Sequence, residues 1–410
     1  MGTSLEQAKR LDAAYVVPTF ARKDVQFTRG QGARLYDDEG TEYLDFLAGI
    51  GVVSVGHCNP QVTAAIQAQA ETLVHVGNYF HIETRGELSQ RICGMLAGGQ
   101  GSAEDWRVFY ANSGAEANEG AIKLARLWGN THAAGAAGII TATQSFHGRT
   151  LASLAATGQP ALHAGFEPLP AGFGFVPLND VAALRAAIEG ADVGGCKPVA
   201  VMLECIQGEA GVWPCTAEYL QAARQLTREH GMLLICDEVQ TGFCRTGECF
   251  AYQGYGVQPD IVTMAKGIAD GIPMGAFAAT ADIAALMKPG THGSTFGGSN
   301  IACAAADATT RIMCEPGFLP HVREVGEHLR AQLAQLPFVT DVRGAGLMVG
   351  VSLQQPVAGK VVDAGLAHGF VLNAPAADVL RFLPPLIIET SEADALIAAL
   401  PALYEEACDV

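Results

Sequence analysis

Two charged residues stand at the ends of apolar runs. In "MLLICDEVQTGFCRTG", residues 232–247, four apolar residues and Cys236 lead into Asp237 and Glu238. About thirty residues later, in "TMAKGIAD", an apolar approach ends in Lys266. A carboxylate buried without a partner is costly, so Asp237 calls for a cation. A lysine desolvated by its surroundings has a depressed pKa and becomes a nucleophile or a base. A single lysine more often snorkels to the surface, so the weight falls on the residues that accompany it.

The first of these is "ANSGAEANEGAIKLAR", where Ser113 and Glu116 have the spacing of a capping box and Gly114 lets backbone N–H groups approach a ligand. Such a helix start is a phosphate site as well as a cap; alone, it reads as a cap. With the aromatic Phe146, the strand-end Asp237 and Lys266 in this order, the set describes a cofactor bearing a phosphate, a flat ring, a cationic ring nitrogen and an aldehyde. Pyridoxal phosphate has each of them. An Asp–pyridinium pair at about 4 Å and an effective dielectric near 20 is worth roughly 4 kcal/mol, or about three pKa units. The other motifs carry less. "RGAGLMVG" has the spacing G-x-G-x-x-x-G and reads as a strand. His57, His147 and His292 lack ligand spacing, and Cys244 with Cys249 has no matching pair to complete a zinc site; no metal is expected.

These residues need a frame. From about 85 to 285 short apolar strands ("WRVFYAN", "GIITATQS", "PVAVMLE", "GMLLICDE", "PDIVTMAK", "GAFAAT") alternate with helices, which predicts a largely parallel sheet wrapped by helices. Ligands of such sheets sit beyond the carboxyl ends of the strands, where Asn112–Gly114, Ser145–His147, Glu204–Glu209, Asp237 and Lys266 fall. Residues 33–47 read as a hairpin around Asp38-Glu39-Gly40, and 60–76 as a helix with a Pro start. A long helix over 316–336, strands in "VTDVRGAGLMVGVSL" and "VLRFLPPLII", and a last helix predict a smaller α+β lobe. The expected division is 1–60 as an N-terminal segment contributing to the small lobe, 61–305 as the large domain and 306–410 as the small domain.

The chain has 410 residues, enough for two lobes, and is 49% hydrophobic with 16% charged residues. Its apolar excess hints at subunit contact. A net charge of −17 without a basic block argues against nucleic acid or anionic membrane as a partner. Eleven scattered cysteines without C-x-x-C fit a reducing compartment. Neither a signal peptide nor a membrane-length apolar run is read, so a cytoplasmic protein is expected.

With "NSGAEAN", "SFHGRT", "IQGEAG", "DEVQTGFCRTG", "AK", "HGSTFGG" and "VLRFLPPL" in place, the sequence resembles the class III pyridoxal-phosphate aminotransferases, of fold type I, from about Tyr15 to the C-terminus. "YDDEGTEYLDFLAGIGVVSVGH" and "VLNAPAADVLRFLPPL" look most like the acetylornithine branch. The resemblance implies that Lys266 joins the cofactor aldehyde and shuttles a proton, and that Asp237 holds the ring nitrogen. It implies Phe146 and Val239 on the two ring faces, Gln240 at the phenolic oxygen, His147 beside the cofactor, and Ser113, Gly114 and Ala115 at the phosphate. Thr295 would join them from the neighbouring subunit of a homodimer with shared active sites. Arg149 would take a substrate carboxylate, and Arg381 the α-carboxylate of glutamate and 2-oxoglutarate. Glu209 would pair with Arg381 while an ω-amino substrate is bound, and Phe80 and Ser294 would line the substrate site.

The activity so implied moves the ω-amino group of N2-acetyl-L-ornithine to 2-oxoglutarate, as in arginine biosynthesis. Alternatives within the fold act on succinylornithine, ornithine, 4-aminobutyrate or succinyl-diaminopimelate. The chain departs from the family pattern at Ala115, Cys205, Ala210, Ala269 and Asp270, and in "NYFHIE". A nicotinamide dehydrogenase would need a G-x-G-x-x-G turn, which is not found, and a non-catalytic relative would lack Lys266 or Asp237.

Overall fold

A computed structural model describes residues 4–409. Its centre is a seven-stranded sheet in the order Trp106–Ala111, Gly275–Thr280, Ile261–Met264, Leu233–Asp237, Pro198–Glu204, Gly138–Ala142 and Phe173–Val176. The segment Gly275–Thr280 runs antiparallel to both neighbours, and the other adjacent pairs are parallel. The strand Leu233–Asp237 is buried along its whole length because both sheet faces are covered. Leu234 and Cys236 join one apolar cluster, Leu233 and Ile235 the other. Period-two alternation therefore serves two cores at once, which is why the segment reads as a continuous apolar run.

A second sheet pairs Phe27–Gln31, Arg34–Asp37 and Glu42–Asp45 with the distant Phe370–Val371. Its hairpin turns at Asp38–Gly40, where the Asp37 carboxylate accepts the N–H groups of Glu39 and Thr41. The third sheet, Val339–Ala345, Met348–Leu353, Val379–Phe382 and Asn373–Ala376, is antiparallel. "RGAGLMVG" lies in strands as expected, apart from the Gly346-Leu347 turn that joins the two arms of the first hairpin, with Gly344 and Gly346 at positive φ. The strand expected over "VLRFLPPLII" stops at Phe382, since Pro384 and Pro385 have no N–H to give a ladder. The expected helix from residue 60 ends at Thr72, and the long one spans Phe318–Leu333.

Helix Phe318–Leu333 packs on that hairpin turn through Gly326, where an added Cβ would come 2.2 Å from the Gly346 carbonyl oxygen. In an open helix Gly→Ala gains roughly 0.5–1 kcal/mol. Here the contact is backbone against backbone, so Gly326→Ala should destabilise and lower the urea midpoint. A raised midpoint would show that the helix and turn separate freely.

Candidate active site

Register brings the carboxylates together. Asp237 lies directly across from Glu204 on one side and Thr263 on the other, at the carboxyl ends of three adjacent parallel strands. Asp237 is 3% exposed, and both of its oxygens accept hydrogen bonds. Oδ2 accepts from His147 Nδ1 at 2.7 Å and Asn118 Nδ2 at 2.8 Å, and Oδ1 from the N–H of Val239 at 3.0 Å. Burial disfavours charge on His147, but the hydrogen bond and the charge of Asp237 outweigh it and leave its pKa raised. Asn118 also donates to the His147 carbonyl at 2.6 Å, so it holds the histidine and the carboxylate in one frame.

Lys266 follows the strand Ile261–Met264 by two residues and has φ 45°, in the left-handed region. A non-glycine residue there costs of order 1–3 kcal/mol, which the packed surroundings must offset. Burial lowers the pKa of Lys266; the charge of Glu209 opposes this and that of Arg381 reinforces it.

A cavity of about 360 Å³ opens at this edge. Ser113, Gly114 and Ala115 line one end, and Asp237, Lys266 and His147 line it as well. Phe146, Val239, Gln240 and Arg149 complete the set that sequence placed there. Ser113 caps the helix Gly114–His132 by accepting the N–H of Glu116 at 3.2 Å. The reciprocal bond expected of a capping box goes elsewhere: Glu116 Oε2 takes the N–H and the amide of Asn112, each at 2.8 Å. The first N–H groups of a helix have no intrahelical partner, and those of Gly114 and Ala115 stand at the cavity. Gly114 is needed there because a Cβ would lie 2.7 Å from Val239. Arg149 is exposed, its guanidinium 5.5 Å from the Phe146 ring centre.

Arg381 and Glu209 form a closed latch. Arg381 Nη1 donates to Glu209 Oε1 at 2.8 Å and to Gln240 Oε1 at 3.2 Å, while Nε donates to Asn373 Oδ1 at 2.9 Å. Gln240 Nε2 completes the ring by donating to Glu209 at 3.1 Å. Burial would raise the pKa of Glu209, but Arg381 prevails and holds it below the usual range. The amide of Gln240, expected at the cofactor's phenolic oxygen, is thus engaged with the latch.

Five expected residues lie outside the lining of the Lys266 cavity: Arg381 and Glu209, which are tied to it through Gln240, and Phe80, Ser294 and Thr295. Ser294 and Thr295 line a separate cavity of about 1210 Å³, and Phe80 is 62% exposed; none of the three lines the Lys266 cavity of its own chain. Three further residues gain roles here: Asn118 is not expected from sequence, Glu204 is expected at the strand ends without a role, and Asp270 is expected only as a departure from the family pattern. Asn118 was hidden in a helix, though a polar residue between Ala117 and Ala121 on a buried face was a signal. Glu204 accepts the N–H of Phe146 at 2.8 Å and thereby fixes that ring's backbone. Asp270, at φ 45°, accepts the N–H of Val55 at 2.9 Å.

These groups suit one cofactor. Free helix N–H groups would suit a phosphate, a buried carboxylate a ring cation, and a desolvated lysine an aldehyde. The Nε2 of His147 is buried without a protein partner among the described residues, as expected of a group that faces a ligand. Such a cavity on a mainly parallel sheet, with a smaller lobe attached, defines a pyridoxal-phosphate-dependent transferase of fold type I.

The chain belongs to the class III aminotransferases, whose family model matches residues 19–403, and its cofactor is pyridoxal phosphate. An acetylornithine aminotransferase from Caldanaerobacter subterraneus subsp. tengcongensis is 45% identical over 397 residues, covering 96% of this chain and 98% of that protein. Its counterpart from Methanocaldococcus jannaschii is 43% identical, covering 97% of each. Among solved structures, the ornithine aminotransferase of Toxoplasma gondii matches with TM-score 0.90 and 32% identity, covering 99% of this chain and 97% of that one. The acetylornithine aminotransferase of Elizabethkingia anophelis matches with TM-score 0.84 and 30% identity, covering 99% and 100%.

Glu204 gives the site a pH signature. Its carboxyl is pushed up from 4.5 to about 7, mainly by burial, against the charge of His147. Between those values the folded state holds a proton that the unfolded chain has released. This contribution to stability is present below the unfolded pKa and lost as pH rises through the folded one. Glu204→Gln should therefore flatten the decline of the urea midpoint across that window. An undiminished decline would assign it to Glu238 and Asp270, which burial pushes up to about 7 and about 6.

Proposed function

We propose that this chain transfers the ω-amino group of N2-acetyl-L-ornithine to 2-oxoglutarate, giving N-acetyl-L-glutamate 5-semialdehyde and L-glutamate. The carrying observation is the Arg381–Glu209 latch: a buried arginine whose counter-charge comes from a partly exposed glutamate far away in the chain. The acetylornithine aminotransferases among its relatives support the same substrate.

When bound, pyridoxal phosphate supplies the aldehyde that accepts an amino group and the ring that withdraws electrons from the carbon losing a proton. Asp237, oriented by His147 and Asn118, would set a negative charge against the ring nitrogen. Ser113 with the N–H groups of Gly114 and Ala115 would take the phosphate, and Phe146 and Val239 would confine the ring. Lys266 Nζ takes and returns the proton of the amine-bearing carbon, and its lowered pKa keeps more of it neutral for that work.

Arg149 binds the carboxylate of acetylornithine, whose reacting end carries no second carboxylate, so Glu209 stays on Arg381. Glutamate brings an α-carboxylate beside the reacting carbon and replaces Glu209 there. Arginine's planar fork suits both exchanges. The division into 1–60, 61–305 and 306–410 belongs to this reading, supported by the pairing of Phe370–Val371 with Glu42–Asp45. So do a place in arginine biosynthesis and a cytoplasmic location. Recovery of the native chain in a secreted or membrane fraction would refute that location.

The second subunit is supported by an apolar patch. Tyr79 is 99% exposed and Phe80 and Phe296 are each 62% exposed, with Leu73 and Val74 nearby in sequence. Asn78 ties the two segments by donating to the Ser294 carbonyl at 2.7 Å. A second copy would cover this patch and bring its Thr295 to the phosphate; an active monomer in sedimentation would reject the arrangement.

The substrate is tested by steady-state rates with a panel of ω-amines and 2-oxoglutarate. Acetylornithine should give the highest kcat/KM, and a clear preference for ornithine or 4-aminobutyrate would overturn the assignment. Glu209→Ala should shift preference toward glutamate as donor by freeing Arg381, by about 1.5–3 kcal/mol, one charge-assisted hydrogen bond. Stopped-flow half-reactions with each donor measure it. An unchanged ratio of rate constants would make Glu209 a structural residue.

A further inference from the structure

The loop that carries Glu209 is tightly wound. It runs between Gln207 and Trp213, which pair in a two-stranded ribbon, and within it Gly211 has φ 111° and Val212 φ 62°. A β-branched residue rarely enters the left-handed region, and such strain persists only where the surroundings over-determine it. Val212 is fully buried in a cluster with Ile206, Met348 and Leu383.

The antiparallel four-stranded sheet supplies those surroundings. Arg343 pairs with Gly350, and Gly350 with Arg381, so the three stand in one row across adjacent strands. Directly paired residues share a face of the sheet. Both arginines therefore stand on one side, with a gap between them where Gly350 has no side chain. Gly211 and Val212 fill this gap: a Cβ on Gly350 would lie 2.7 Å from the Gly211 carbonyl oxygen and 2.7 Å from Val212 Cβ. On one flank Arg381 holds the Glu209 carboxylate at 2.8 Å. On the other, Arg343 Nε donates to the Gly211 carbonyl at 2.9 Å, and the guanidinium lies 3.8 Å from the centre of the Trp213 ring. Arg343 is 8% exposed, and its Nη1 is steadied by Asp341 and Ser352, each at 2.8 Å.

Resting on the reading that Glu209 yields Arg381 to a substrate carboxylate, we propose that Arg343 is a positioning residue for the choice of amino donor. It pins the backbone of the Glu209 loop, so that only the glutamate side chain moves in the exchange. The two arginines divide the work by what they hold. Arg343 bonds a backbone carbonyl, which stays with the chain; Arg381 bonds a side-chain anion, which another anion can replace. Loosening the first grip weakens Glu209 as a competitor at the second, and the balance moves toward donors that bring their own carboxylate.

Stopped-flow half-reactions of the intact holoenzyme test this with two donors, glutamate and whichever ω-amine turns over fastest. Arg343→Met keeps an unbranched side chain beside Trp213 but has no N–H for Gly211. It should raise the ratio of glutamate to ω-amine rate constants by about fivefold, the order of one hydrogen bond. In a Glu209→Ala background the same replacement should leave the ratio where Glu209→Ala put it, because the carboxylate it positions is gone. Trp213→Ala, at an exposed residue, should shift the ratio in the same direction and decides the matter if Arg343→Met does not fold. Equal slowing of both donors, with the ratio unmoved, would leave Arg343 a residue of folding alone and overturn the proposal. A shift that persists in the Glu209→Ala background would overturn it as well. Should Glu209→Ala itself leave the ratio unmoved, the latch reading fails and this one falls with it; a shift in Glu209→Ala without one in Arg343→Met sinks this one alone.

Discussion

A carboxylate placed where water does not reach is the constraint around which this protein is arranged. Asp237 ends a strand buried on both faces, and its three hydrogen bonds come from a histidine, a helix asparagine and its own turn. Removing one partner of such a buried pair costs about 3–5 kcal/mol, so strand, helix and loop are bound to a common geometry. Glu204, its neighbour across the register, extends that geometry by holding the backbone at Phe146. The polar framework is complete on the side away from the cavity and open toward it.

The seven-stranded sheet and its loops supply Asp237, Lys266 and the helix start, and the antiparallel four-stranded sheet supplies Arg381. Gln240 and Glu209 stand between them and bond to both the arginine and each other. A buried arginine next to methylene groups would be expensive alone; with Glu209 it is satisfied, and a second carboxylate can take the same position. The proposed discrimination between two substrates thus rests on exchanging one anion for another around a fixed cation, without repacking apolar side chains.

Much of this was legible in the chain. The strands were visible because burial on both faces makes them unbroken apolar runs, and Asp237 and Lys266 because each breaks such a run. The cavity gathers twelve residues that sequence grouped, Asn112 through Lys266, since strand ends share one edge. Asn118 was not foreseen because its bonds to His147 and Asp237 cross 29 and 119 residues of chain. Glu116 was assigned to Ser113 but serves Asn112, a choice that depends on where the preceding strand delivers the backbone. Phe80, Ser294 and Thr295 could be grouped by motif, yet their separation from the cavity appears only in three dimensions. Asp270 was noticed only as a departure; its purpose needed Val55.

That last contact joins the beginning of the chain to the lysine loop. Asp270 holds Val55, Gly267 packs so closely on Ser54 that a Cβ would lie 2.6 Å from its hydroxyl, and Val52 and Gly271–Met274 share one cavity wall. These contacts couple residues 52–55 to the segment after Lys266, so that ordering one favours ordering the other. A ligand that binds only the ordered form stabilises both by mass action, about 4 kcal/mol at a thousandfold excess over its dissociation constant. Occupancy of the cavity thereby becomes part of the folding equilibrium of the N-terminal segment, and amide exchange near residue 55 reports on a ligand it never touches.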